Sequence, residues 1–279
     1  MAPVPFRKMH GLGNDFVVLD RRRGGIAIDA AGASALADRH RGIGCDQVIV
    51  IEAPRDRAAS AYIRFLNSDG SEAGACGNGT RCVATLLAAE TGERRTRIET
   101  AAGLLVAETR GDGRVAVDMG PARTAWDEIP LARAVDTLHA PLALGPLADP
   151  VCTNMGNPHA TFFVADAEAV DIAGLGPVLE RDKLFPERAN IGVASLAGAD
   201  SIRLRVWERG AGLTLACGSG ACAAAVAAAR RGLTGRDVTV IVDGGRLGIE
   251  WREDGHVVMT GPSAVSFEGT FDSALLGGS

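Results

Sequence analysis

Two cysteines stand in the same five-residue setting, ACGNG at Ala75–Gly79 and ACGSG at Ala216–Gly220. Each precedes a run of helix formers, so Cys76 and Cys217 sit where unpaired N–H groups and the helix dipole favour a thiolate. The same N–H groups form an anion site suited to a carboxylate or phosphate, and the glycines allow a ligand close to the backbone. Taken singly, Cys-Gly-x-Gly is also what a tight turn around a small buried residue looks like. Two copies argue for chemistry: if two similar domains face each other across a cleft, one thiolate removes a proton from carbon and one thiol returns a proton to the opposite face. That inverts a stereocentre. Helix N-termini holding the carboxylate would stabilise the charge that develops when its α-proton leaves.

The recurrence extends beyond the cysteines. Sliding the chain past itself aligns Ala75 with Ala216, a shift of 141, and IRFLN at Ile63–Asn67 with LRVWE at Leu204–Glu208 at the same shift. Asn67 and Glu208 therefore lie at matching positions before their cysteines. Asp112-Gly113 returns as Asp254-Gly255, Gly120-Pro121 as Gly261-Pro262 and Gly13-Asn14 as Gly156-Asn157. Landmarks in one order at nearly one shift predict two similar domains rather than a short-period solenoid. The expected ranges are 1–121 and 122–262, with a strand-like stretch at 265–271 inside residues 263–279 returning to complete the first.

Each copy reads as strand, loop, helix, strand, strand. Segments 16–19, 48–51, 62–66, 161–164 and 202–207 carry half-buried strand patterns. The helices begin after each cysteine motif, with Asn78 and Ser219 as expected N-caps, and stop at Gly92 and Gly232. The second, Ala221–Ala229, is small and apolar on every side and must be surrounded by protein. The expected fold is α+β (α/β mixed): two pseudo-symmetric domains, each a strand-rich sheet wrapped around a central helix.

The 279 residues are 47% hydrophobic but only 4% aromatic, with 36 Gly and a net charge of −5. A core of small aliphatics with close backbone approaches follows. Basic residues are dispersed apart from Arg21-Arg22-Arg23, which reads as a solvated loop, and no nucleic-acid footprint is present. No stretch resembles a signal peptide or membrane span, and six cysteines without C-x-x-C spacing suit free thiols in a reducing, cytoplasmic compartment. His10, His40, His139 and His256 form no ligand cluster, so no metal is expected.

KMHGLGNDF (Lys8–Phe16), FLNSDGSEAGACGNGTRC (Phe65–Cys82), MGNPHA (Met155–Ala160), FPERANIGV (Phe185–Val193) and ERGAGLTLACGSGACA (Glu208–Ala223) together resemble the diaminopimelate epimerase family, in its order and over nearly the whole chain. That resemblance implies a cofactor-independent amino-acid epimerase related to proline racemases. Such enzymes convert LL-2,6-diaminopimelate to the meso form for lysine and peptidoglycan precursors, and are usually homodimers of two-domain chains. It makes Cys76 and Cys217 the acid/base pair, with Cys217 expected to take the proton from the LL substrate. Gly77, Asn78, Gly218 and Ser219 are implied to hold the reacting carboxylate. Asn14, Gln47, Asn67, Asn157, Asn190 and Arg209 are implied to bind substrate, several at the distal centre, and His159 and Glu208 to set the protonation of the thiols. Cys45, Cys82, Cys152 and Cys222 are left as structural. The family's GAGET is GAGLT here, with Leu213 replacing the acidic residue, so altered loop hydrogen bonding is expected without a change of reaction.

Three other readings are weaker. A proline or hydroxyproline racemase has no use for so many carboxamides plus Arg209, because its substrate lacks a second charged centre. A redox protein pairing Cys76 with Cys217 would be inactivated as an epimerase by that bond. A carboxylate-binding module would need the helix N-termini but not two thiols.

Overall fold

The computed structural model describes residues 3–277; residues 1–2 and 278–279 of the expected ranges 1–121 and 263–279 lie outside them. In chain order the elements are β1 (Pro3–Gly11), β2 (Asn14–Asp20), α1 (Ala30–Ala37), β3 (Gln47–Glu52), β4 (Ala61–Asn67), β5 (Glu72–Ala73), α2 (Gly77–Thr91), β6 (Arg95–Thr100), β7 (Gly103–Thr109) and β8 (Val115–Pro121). There follow a short hairpin, β9 (Ala143–Leu144) and β10 (Leu147–Ala148), then β11 (Val151–Asn154), β12 (Pro158–Phe163), α3 (Ile172–Glu180), β13 (Asn190–Gly198), β14 (Ser201–Glu208), β15 (Gly212–Thr214) and α4 (Gly218–Arg230). The chain closes with β16 (Asp237–Val242), β17 (Gly245–Trp251), β18 (His256–Gly261), β19 (Ala264–Asp272) and a turn of 3-10 helix, Ser273–Leu276.

Two compact units result, one comprising residues up to Val117 together with those from Gly261 onward, the other Asp118–Thr260. In the first, β1–β2 is antiparallel, β2–β3 parallel, β3–β4 and β4–β5 antiparallel, β4–β6 parallel and β6–β7 antiparallel. In the second, β11–β12, β12–β13, β13–β14, β14–β15, β14–β16 and β16–β17 repeat that series pair by pair and sense by sense. Register repeats too: Leu66 faces Glu72, and Trp207 faces Leu213. The stretch read at 265–271 is β19, antiparallel to β1. The fold is mixed α/β and strand-rich.

Each unit holds one helix more than the sequence pattern anticipates. Helix α1 is capped by Asp29, whose side chain accepts from Gly32 N, and α3 by Asp171, which accepts from Gly174 N. Glycines in both segments and Pro177 within α3 weaken their helical signature. These helices also explain why β2 and β3 are buried over four consecutive residues instead of alternating. Val17, Leu19, Val48, Val50 and Leu66 share a core with Leu36 and Ala37 of α1. Ile49 and Phe65, on the opposite face, lie against α2 at Gly79. A sheet covered on both faces has no solvated side to write polar residues on. In the second unit α4 packs against β11, β12, β13, β14, β16 and β17, which is why it carries no polar face.

Candidate active site

Both helices α2 and α4 begin one residue after a cysteine, and in both the sulfur itself is the N-cap. Gly79 N donates to Cys76 Sγ at 3.4 Å, and Gly220 N donates to Cys217 Sγ at 3.4 Å. Asn78 and Ser219 therefore lie within the first turn and are not the caps. The thiols occupy that position because the motif's second glycine lets each helix reach its sheet: a Cβ on Gly79 would come within 2.7 Å of Phe65 Cε1, and one on Gly220 within 3.0 Å of Val206 Cγ2. These two glycines let the helices pack closely on the sheet.

In the first unit Cys76 is half-buried, with Asn14 Oδ1 4.0 Å from its sulfur. The same oxygen accepts from Asn78 Nδ2 at 3.2 Å. Asn14 is oriented from behind: its Nδ2 donates to Asp46 Oδ2 at 2.9 Å, and a carboxylate there forces the amide oxygen toward the cysteine. Asp46 also accepts from Arg39 at 2.8 Å, and Arg39 with Lys8 binds Asp15. Although burial works the other way, hydrogen bonds from Arg39 and Lys8 hold the Asp15 carboxyl at about 2. Gln47 and Asn67 face each other across β3 and β4, Gln47 Nε2 donating to Asn67 Oδ1 at 2.7 Å, and Asn67 Nδ2 donates to Ser71 Oγ at 3.0 Å.

The second unit repeats the frame with different groups. Cys217 is buried, and its thiol lies with Glu208 and with Ser219 Oγ, 3.6 Å away. Thr214 Oγ1 donates to Glu208 Oε1. Burial first, and then the Glu208 carboxylate, push the Cys217 thiol well above its ordinary value, overriding Ser219 and the Gly220 N–H, which favour the thiolate. The sequence expectation of a lowered pKa at this helix terminus is thus reversed at Cys217, because desolvation of a buried charge exceeds what one N-cap bond returns. Asn190, buried opposite His159 in the β12–β13 register, accepts from Arg209 N at 2.9 Å and donates to Pro158 O at 2.9 Å. The exposed Arg209 guanidinium donates to Glu187 O at 2.8 Å.

His159 is buried and bonded to Asn157 Oδ1 through Nε2 at 2.8 Å. An amide oxygen cannot donate, so Nε2 carries the proton. Burial, followed by the Arg209 charge, takes the imidazole down to about 3. The structure thus assembles Asn14, Asn78 and Cys76 as one group, Gln47 with Asn67 as a second, and Cys217, Glu208 and Ser219 as a third. Asp46, Ser71 and Thr214 are partners that the sequence pattern did not single out. Only Ser71 and Thr214 carried a signal, as hydroxyls just before one and at the end of the other of the two short strands that precede each cysteine. Cys45, Cys82 and Cys152 are buried, their thiols pushed up to about 11, 12 and 12 by desolvation, which makes them inert packing groups. Among the described residues no cluster of three or more metal-binding side chains occurs, and no helix is long and apolar enough to cross a membrane.

Leu213 is exposed on β15, opposite Trp207. Its counterpart Glu72 pairs with Arg64 at 3.2 Å. The counterpart of Arg64, Arg205, donates to the carbonyls of Val170 at 3.1 Å and Ala167 at 3.4 Å. Arg64 makes the matching backbone bond to Ile28 O at 3.2 Å, and the carboxylate nearest Arg205 is Glu168, at 3.8 Å, so the charge partner comes from a different segment and the strand pairing keeps its register.

The family model for diaminopimelate epimerase matches residues 6–125 and 151–265. Diaminopimelate epimerase of Rhodospirillum centenum is 61% identical over 98% of this chain and 94% of that protein. The enzyme of the same name from Acidiphilium cryptum is 60% identical over 99% of each. A hydroxyproline epimerase from Agrobacterium vitis, solved with trans-4-hydroxy-L-proline, superimposes with a TM-score of 0.67 over 99% of this chain and 94% of its own at 17% identity, a likeness of fold.

Proposed function

Because the chain belongs to the diaminopimelate epimerase family and is an enzyme of the epimerase class, we propose that it interconverts LL- and meso-2,6-diaminopimelate by two-base proton transfer between Cys76 and Cys217, without a cofactor. The observation that carries this reading is the matched pair of sulfur caps, each accepting from the third N–H of its helix at 3.4 Å. Two-base inversion needs two such groups, one to take the proton and one to return it.

The substrate-free Cys217 holds its proton, and Glu208, bonded to the thiol, is the group placed to accept it. The thiolate then takes the α-proton of the LL substrate. The negative charge passes into the substrate carboxylate, bound by the N–H groups of Gly77, Asn78, Gly218 and Ser219. Cys76 returns a proton to the other face, its S–H steadied until then by Asn14 Oδ1. Asn14, Gln47, Asn67, Asn157, Asn190 and Arg209 bind the substrate, several at the distal centre. Neutral His159 supports the site as a hydrogen-bonding group. The same reading takes 1–121 completed by 263–279, and 122–262, as two domains of one repeat. It places the enzyme in the cytoplasm, as a homodimer, supplying lysine and peptidoglycan precursors. The half-exposed Val265 and Phe267 on β19 support the dimer.

Incubation of the reduced protein with LL-diaminopimelate in deuterated water tests this, following α-deuterium and meso product, with trans-4-hydroxy-L-proline as comparison substrate. We expect meso product carrying one deuterium, no reaction of hydroxyproline, and a loss of at least about a thousandfold in Cys76→Ala and Cys217→Ala, as for other essential acid/base groups. Full activity in either variant would exclude the two-base mechanism.

A further inference from the structure

Glu180, the last residue of α3, is a buried carboxylate that the proton transfer does not use. Its Oε2 accepts from Trp207 Nε1 at 2.8 Å, and its Oε1 accepts from Gly210 N at 3.3 Å, with Arg188 Nη1 at 3.7 Å. Its two oxygens thus hold the residues immediately before and after Glu208-Arg209. Its own carbonyl accepts from Ala189 N at 3.1 Å, tying the helix end to the residue before Asn190, which in turn receives Arg209 N. Trp207 reaches Glu180 by lying on Gly176, where an added Cβ would come within 2.5 Å of Trp207 Cγ.

The first unit provides an internal control. At the equivalent positions it has Ala33 on α1, Ala37 at the end of that helix and Leu66 on β4, all within one apolar core. There too the carbonyl of the last helical residue, Ala37, accepts an N–H from just before the next strand, that of Cys45 at 3.2 Å. The same frame therefore forms with an apolar trio. A carboxylate at such a position costs desolvation that folding alone does not require. Its use in only one unit matches the asymmetry of the turns that follow: Arg209 and Glu208 in the second, Ser68 and Asn67 in the first.

Resting on the epimerase reading above, we propose that Gly176, Glu180 and Trp207 form a clamp that fixes the Glu208-Arg209-Gly210 turn against α3, with Glu180 as a positioning residue for substrate binding by Arg209. Glu208 keeps its hydrogen bond from Thr214, so the larger effect of releasing the clamp falls on KM and the smaller on kcat. A glutamine in place of Glu180 offers one oxygen to two N–H donors and must leave one of them unmatched.

The test compares the full-length protein with Glu180→Gln and with the triple variant Gly176→Ala/Glu180→Ala/Trp207→Leu, which installs the first unit's trio. Thermal unfolding, amide hydrogen exchange over residues 208–211, and kcat and KM on LL-diaminopimelate are measured for each. We expect Glu180→Gln to fold, to exchange faster over 208–211 and to raise KM by roughly tenfold, the order of one lost charge-assisted hydrogen bond. We expect the triple variant to melt close to the unmodified protein while KM stays raised. Unchanged exchange and KM in Glu180→Gln would overturn the proposal, as would a triple variant restored to full activity, since Glu180 would then serve only the fold. The exchange measurement needs no turnover, so an unmodified protein without epimerase activity would remove the functional reading while leaving the clamp itself separately tested.

Discussion

His159 and Cys217 show burial deciding protonation where residue type suggests otherwise. The imidazole, at about 3 in the folded chain, titrates near 6.5 when unfolded. Between those values the unfolded state binds a proton that the folded state excludes, so this group withdraws stability as pH falls from about 6.5 toward 3, by up to about 1.4 kcal/mol per pH unit. Urea unfolding at pH 6.5, 5.5 and 4.5 should show a shallower acid loss in His159→Gln than in the unmodified protein. For Cys217 the second cause of the raised pKa is the Glu208 carboxylate. Removing that charge in Glu208→Gln lowers the thiol pKa and increases the thiolate fraction at a given pH. In a Cys76→Ala background, alkylation of Cys217 at pH 8.5 should therefore become faster even as epimerisation falls in the single Glu208→Gln variant. The cysteines and the Asn14 and Asn157 carboxamides were legible because their types recur at fixed spacing, and Gln47, Asn190 and Arg209 because their motifs resemble those of the family. Glu180 was not, because its counterpart Ala37 makes the internal comparison point away from it, and its hydrogen-bond partners are contributed by a different strand.

The two central helices are set by what their first turns touch. Gly79 is in α2 because Phe65 and Ile49 occupy the space its side chain would need: a Cβ there would stand 2.7 Å from Phe65 Cε1 and 2.9 Å from Ile49 Cδ1. Gly79→Ala must move α2 away from a close-packed sheet. It should cost about 1–3 kcal/mol in denaturant unfolding, as overpacking in cores does, and should weaken activity by shifting the cap at Cys76. A variant as stable and as active as the unmodified protein would show that α2 does not need this approach. The central helices were legible from small-residue runs between a cysteine and a glycine stop. Helices α1 and α3 were not, since their glycines and Pro177 lower local propensity and tertiary contact with the sheets restores it. The unbroken burial of β2 and β3 follows from those same helices, so the missed helices and the misread strand pattern are one omission.

At the scale of the molecule, β19 is exposed along nearly its whole length, with Val265 at 46% and Phe267 at 50% exposure, and it pairs with β1. In the homodimer reading this strand meets a second copy. Sedimentation velocity should find the unmodified protein dimeric and Phe267→Glu largely monomeric; a dimer unaffected by that change would place the interface elsewhere. The repeat, the mixed α/β class and the pairing of one cysteine per unit were readable from the sequence alone, because a duplicated chain repeats its residue types in order whatever its neighbours. Tertiary structure alone decided that Cys217 keeps its proton, which way the Asn14 amide points, and which buried carboxylate holds the Glu208-Arg209 turn. Each depends on desolvation and on donors brought from distant segments, and neither quantity is a property of a residue or its sequence neighbours.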